Sequence, residues 1–222
     1  MNIPAEFDEI RPYAPEELPQ VYEELIADPM FQAVVAQVMP GIPFDMLAAQ
    51  MRQCKTNLDF QKAFFYKLLK ELVQKCAKGI DFDCSAIQDK ANHYTFISNH
   101  RDIILDAAFL DVLLVDEGMN TVEIAIGDNL LIYPWIKKVV RINKSFIVKR
   151  GLSLREQLQS SILMSKYMHF AATEKKENIW IAQRQGRAKD SNDRTQDSIL
   201  KMMVTGGEGD IFDRLKEMNL VP

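Results

Sequence analysis

HYTFISNHRDIILDAAFLDVLLVD, residues 93–116, changes its period halfway along. The first six residues are rich in β-branched and aromatic side chains and read as a buried strand. A polar knot follows, from Ser98 to Asp102. From residue 103 to 116 the apolar spacing is helical. The same texture recurs downstream. TVEIAIGD, SFIVKR and NIWIAQ read as strands, and 129–139 and 153–173 read as helices between them. The last helix opens with Ser153-Leu-Arg-Glu156, a capping box, after which Leu154, Leu158 and Ile162 continue one face. Strands that alternate with helices predict an α/β fold, a largely parallel sheet covered by helices on both sides.

Upstream the pattern is helical from Pro15 to about Gly79. In NLDFQKAFFYKLLKELVQKCAKG the residues Phe60, Phe64, Leu68, Leu72 and Cys76 recur every four positions, and Gly79 ends the run. Such a stripe is read as core-facing rather than as a membrane anchor. Two regions result: a small α-helical N-terminal domain over 1–82 and an α/β domain over 83–222. A chain of 222 residues is long enough for both. The net charge of −4 argues against broad nucleic-acid binding. Three scattered cysteines, Cys54, Cys76 and Cys84, read as reduced thiols of a cytoplasmic protein. The N-terminus lacks an export pattern and no apolar run is long enough to span a bilayer. The expected location is cytoplasmic, with any membrane contact peripheral and at the inner face.

In a parallel sheet, ligands bind outside the carboxyl ends of the strands. Each strand here ends in a polar cluster. His100 follows the first, Gly127-Asp128 the second, Lys149-Arg150 the third, and Arg184 to Lys189 the fourth. All four are expected on one rim. His100 has two readings. It is a loop residue before a helix capped by Asn99 or Asp102, or it is a general base oriented by Asp106. His93 and His169 lack such a setting. With three separated histidines and no Cys-x-x-Cys, no metal site is expected.

Between Asn129 and Arg155 stand seven basic residues and no acid: Lys137, Lys138, Arg141, Lys144, Lys149, Arg150 and Arg155. A phosphate or an anionic membrane surface would use that asymmetry, while Lys137 and Lys138 equally suit a solvated face. In IWIAQRQGRAKD a strand ends, Gly186 permits a tight turn, and Arg184, Arg187 and Lys189 form a candidate anion clamp.

These motifs, in this order, resemble the glycerolipid acyltransferases, the superfamily of glycerol-3-phosphate and 1-acylglycerol-3-phosphate acyltransferases. The resemblance covers about residues 90–205. The helical N-terminal segment is similar to that of the soluble, plastid-type glycerol-3-phosphate enzymes. SNHRDIILD resembles the first motif, GDNLLIYPWIKKVVRINKSFIVKR the second block and IWIAQRQGRAKD the third. The resemblance implies that His100 is the general base with Asp106 as its partner, Asp102 being the alternative acid. It implies that Lys149, Arg150, Arg184, Arg187 and Lys189 bind phosphate around a turn at Gly186. The acceptor hydroxyl would attack an acyl thioester directly. The donor would be coenzyme A or acyl-carrier protein, with no further cofactor.

Three positions depart from the family pattern. Asp106 lies one residue beyond the usual spacing, with Leu105 in that slot. A helix turns about 100° per residue, yet Leu105 to Leu110 follow the family's apolar pattern when Asp106 is the partner. Gln185 stands where many relatives carry glutamate. Pro222 corresponds to a proline after which relatives continue, so the α/β domain is expected to lack its C-terminal strands. The expected function is acyl transfer to a phosphorylated glycerol or lysolipid in phospholipid biosynthesis. The alternatives are a non-catalytic lipid- or anion-binding protein that keeps the fold and, last, a nucleic-acid binder using residues 137–155.

Overall fold

Four strands form where the sequence predicts them, and a fifth joins at an edge. They are β1 (Thr95–Ser98), β2 (Val122–Gly127), β3 (Ser145–Val148), β4 (Asn178–Ala182) and β5 (Leu220–Val221). The computed structural model describes residues 3–190 and 192–222. Every pairing is parallel, in the order β3-β2-β4-β1-β5. The chain is α/β.

The strand order fixes where the helices lie. The β1→β2 and β2→β3 connections travel toward one edge of the sheet, whereas β3→β4 travels back. Right-handed crossovers then require opposite faces. Between β1 and β2, α6 (Leu105–Asp116) packs Ala107 and Leu114 with Phe96, Val122 and Trp180 on one face. Between β3 and β4, α8 (Leu154–Thr173) packs Met164, Tyr167 and Ala171 with Phe146, Ile179 and Ile181 on the other. The neighbours β1 and β4 therefore send the chain to opposite faces, which opens a crevice at their carboxyl ends. From β4 the chain continues through α9 (Asp197–Thr205) and α10 (Ile211–Glu217) to β5.

The N-terminal helices are α1 (Leu18–Ile26), α2 (Pro29–Val38), α3 (Phe44–Gln53), α4 (Asn57–Phe60) and α5 (Lys67–Cys76). They cover α7 (Pro134–Ile142), the link between β2 and β3. Leu18, Tyr22, Leu25, Phe31 and Phe60 form one apolar cluster with Ile142, and Trp135 and Val139 pack against it. The lead-in is also tied down. Phe7 and Ile10 are buried in the α8-side core, and Ile147 donates its N–H to the Ile10 carbonyl at 2.9 Å.

Three expectations are corrected. The helix expected over 129–139 begins at Pro134, because proline lacks a donor and suits the first turn. Tyr133 is accordingly extended, as the residue before a proline should be. Second, α4 and α5 are joined by a π-helical segment, Gln61–Tyr66. Its extra residue per turn rotates the buried face, so Leu69 is 7% exposed while Leu68 is 41% exposed. Third, the α8 capping box forms, with Ser153 N–H donating to Glu156 at 3.0 Å. However, Leu154 and Leu158 stand in solvent, because the face of α8 turned to the sheet carries Gln157, Ser160, Ser161 and Met164 instead. Among the described residues no helix is long and apolar enough to cross a membrane.

Candidate active site

The polar knot after β1 is held by side-chain to backbone bonds. Asp102 Oδ1 accepts the N–H groups of Ile104 and Leu105 at 2.9 and 2.8 Å, so Asp102 caps α6. Those bonds hold its carboxyl below its ordinary range, the Leu105 N–H first and the Ile104 N–H second. The charge of Arg187 adds to them. Asp102 is thus spent on the helix end and is not the partner of His100.

That partner is Asp106, in the first turn of α6. Its Oδ2 lies 2.9 Å from His100 Nδ1 and also accepts the N–H groups of Arg101 at 2.7 Å and Asp102 at 3.1 Å. Three donors thus converge on one carboxylate oxygen. The loop absorbs the extra residue by folding its own backbone onto the acid. An acceptor facing Nδ1 keeps that nitrogen protonated, which leaves Nε2 with the free lone pair. Both side chains are largely shielded from solvent.

Neighbouring elements fix the ring. The His100 N–H donates to Asp193 at 3.0 Å, and the His100 carbonyl accepts the Ala188 N–H at 2.8 Å. The ring meets Trp180 edge-on at 5.8 Å, and the Trp180 indole donates to Ser98 Oγ at 2.9 Å. Asn99 accepts from Gln183, which also reaches the Asp193 carbonyl. The loop after β4 therefore buttresses the loop after β1.

The expected cations divide into three groups. Arg187 and Lys189 flank Ala188, hence stand beside His100, and Gly186 turns the chain there with φ +75°. Lys149, Arg150 and Arg184 line a separate pocket of about 180 Å³ with Gln157, Ser160 and Ser161. It lies at the same carboxyl edge but on the α8 face, whereas the His100 ring packs on the α6 face. The Arg184 Nε is buried 4.0 Å from Asp193. Arg150 lies against Gly127, where an added Cβ would come within 2.5 Å of Asn129 Oδ1 and 3.4 Å of Arg150 Nε. Arg141 and Lys144 leave the basic stretch altogether. Arg141 is buried, donating to the carbonyls of Arg11 at 2.7 Å and Asp8 at 2.8 Å. Lys144, just before β3, reaches Glu177 at 2.7 Å at the amino edge. Both are structural, because their charged groups are buried and already bonded to backbone carbonyls and to Glu177. Lys138 pairs with Glu24 at 2.9 Å.

An apolar cavity of about 220 Å³ lies on the His100 side of the sheet, between α6, α7 and the π-helical segment. Ile103, Ile104, Ala107, Ile126 and Val139 are among its lining residues. Ile103 and Ile104 belong to the loop between His100 and Asp106, so the cavity's upper end approaches the carboxyl rim, but neither member of the dyad lines it: Asp106 projects from the side of α6 opposite Ala108, Asp111 and Val115. Sequence reasoning missed this cavity, the buried Asp193 and the contact with Trp180. A signal existed for one lining residue: Asp111 is the only acid inside the apolar run AAFLDVLLV. The 193–100 pairing crosses most of the domain and leaves no local signature.

His93 is half-buried beside β1, and His169 is buried with its Nε2 3.0 Å from the Met203 carbonyl. Neither shares the site. Compared with known proteins, the chain matches no protein-family model and no curated protein.

Proposed function

We propose that this protein moves a fatty acyl group from an acyl thioester to a hydroxyl of a phosphorylated glycerol or lysolipid. The observation that carries this reading is the His100–Asp106 pair at the carboxyl edge of the sheet, with an apolar cavity on the same face of the sheet and cations on the same rim. His100 Nε2 takes the proton of the acceptor hydroxyl while that oxygen attacks the thioester carbonyl. Asp106 stabilises the imidazolium. The tetrahedral intermediate collapses with cleavage of the carbon–sulfur bond, and the imidazolium returns its proton to the thiolate. The acyl chain occupies the apolar cavity. Arg187 and Lys189, or the pocket of Lys149, Arg150 and Arg184, hold the acceptor's phosphate.

The test is thiol release by the purified chain, with acyl-coenzyme A and acyl-carrier protein as donors and glycerol-3-phosphate and lysophosphatidate as acceptors. Acceptor-dependent release that His100→Ala abolishes is the expected result. No thioester consumption with these acceptors, or with other lysolipids such as acylated amino acids, removes the reading. A non-catalytic lipid- or anion-binding protein is the second reading. It is favoured by Gln185, which lines the cation pocket without supplying the carboxylate many relatives of the resembled family carry there. Ligand binding that is equal in wild type and His100→Ala, with turnover in neither, supports it.

A further inference from the structure

The apolar cavity does not end in apolar wall. Its upper part is lined by Ile103, Ile104 and Ile126, at the carboxyl end of the sheet. Its far end is lined by Gln61, Asp111, Thr121, Asn143 and Ser145. Thr121 precedes β2 and Ser145 begins β3, so this polar floor sits at the amino edge of the sheet. A strand rises about 3.3 Å per residue, so the six residues of β2 put the floor roughly 15 Å below the rim. Gln61, Asp111, Thr121 and Ser145 are each more than nine-tenths buried.

Buried polar groups beside a hydrocarbon chain are costly unless they are bonded. Most of the floor bonds to itself. The Thr121 hydroxyl donates to Gln61 Oε1 at 2.7 Å, Gln61 Nε2 donates to Asp111 Oδ2 at 3.2 Å, and the Val122 N–H donates to Asp111 Oδ1 at 2.8 Å. The side chains of Asn143 and Ser145 make no such bond among the described residues, and one of their atoms is fully shielded. Asn143 Oδ1 is shielded from solvent and has no hydrogen-bond partner among the described residues. A methyl group arriving here would leave that amide unpaired. A hydroxyl would donate to Oδ1, and its oxygen would accept the amide nitrogen if the amide were turned, so it suits either orientation.

We propose that this cavity selects acyl chains that carry a hydroxyl at or near the far end. The inference rests on the reading of the cavity as the acyl site and names the class of chain. It adds no step to the transfer.

Calorimetric binding of free ω-hydroxydodecanoate and dodecanoate to the purified chain tests it without turnover. That separates it from any failure of the transfer reaction. One added buried hydrogen bond corresponds to about fivefold to tenfold in affinity, so the hydroxy acid is expected to bind tighter by that factor. Asn143→Leu is expected to reverse the preference, and Thr121→Val to reduce it. His100→Ala, which does not line the cavity, is expected to leave the preference unchanged. Equal affinities in the wild type, tighter binding of the methyl-ended acid, or binding of neither overturns the proposal. So does a preference that survives in folded Asn143→Leu.

Discussion

At the scale of single residues, the convergence of three donors on Asp106 Oδ2 separates two roles that a carboxylate usually combines. Its other oxygen takes no bond among the described residues. Asparagine can therefore set its oxygen where Oδ2 stands and keep the His100 tautomer and both backbone bonds. Only the charge is lost. Asp106→Asn is expected to lower kcat by about 10²-fold, whereas Asp106→Ala, which also frees the ring and the loop, costs about 10³- to 10⁴-fold. Steady-state kinetics on both variants checks this, and equal losses would mean that charge alone matters. Asp111 supplies a second prediction. Burial raises its carboxyl from the ordinary 3.8 to about 7, against the N–H of Val122 and the charge of Lys144. Between those values the unfolded chain binds fewer protons than the folded one, so this group's contribution to stability falls as pH rises through that window. The full shift corresponds to about 4 kcal/mol. Urea unfolding of Asp111→Asn from pH 4 to 8 is expected to lack that slope; parallel curves for variant and wild type would assign the slope elsewhere.

At the scale of elements, the π-helical segment decides which leucine matters. Reading every fourth residue from Phe60 leads to Leu68, whereas the inserted residue brings Phe65 and Leu69 inward instead. Leu69→Ala is expected to cost about 2–4 kcal/mol, as a buried truncation does, and Leu68→Ala less than about 1 kcal/mol. Chemical denaturation of the two variants measures both, and equal losses would contradict the rotated face. The same comparison marks what a sequence makes legible. Strands and the long helices are short-range patterns of apolar residues, so β1 to β4, α6 and α8 can be read directly. The His100–Asp106 contact spans six residues and is equally local. Helix register across Gln61–Tyr66 is not local. It answers to Gln61, which reaches across to Thr121 and Asp111, 60 and 50 residues away in sequence. Nor does charge pattern alone separate Arg141 and Lys144, which satisfy buried carbonyls and a carboxylate, from Lys149 and Arg150 at the rim. The distinction depends on which end of α7 and β3 each residue occupies.

At the scale of the whole molecule, that edge gathers two kinds of exposed residue. Ile103 and Ile104 after β1, Ile132 and Tyr133 after β2, and Leu154 and Leu158 after β3 are all exposed large apolar side chains. Lys149, Arg150, Arg155, Arg187 and Lys189 are exposed among them. Apolar residues collected at one edge of a folded chain mark a contact surface, and interleaved cations suit an anionic one. Such a surface would hold the mouth of the apolar cavity against the source of the lipid substrates proposed for it. Apolar insertion contributes about 1–2 kcal/mol per side chain, and each nearby cation about 1 kcal/mol at moderate salt. The chain is therefore expected to sediment with vesicles containing anionic phospholipid, more weakly with neutral ones, and less as salt is raised and screening shortens. The double substitution Ile104→Asp with Leu154→Asp is expected to weaken that binding at least tenfold without altering the unfolding midpoint, since both side chains already stand in water. Val38→Asp, an equally exposed change on α2, is expected to have little effect. If both variants bind vesicles like the wild type, or if binding ignores lipid charge and salt, the carboxyl edge is not the face that meets the membrane.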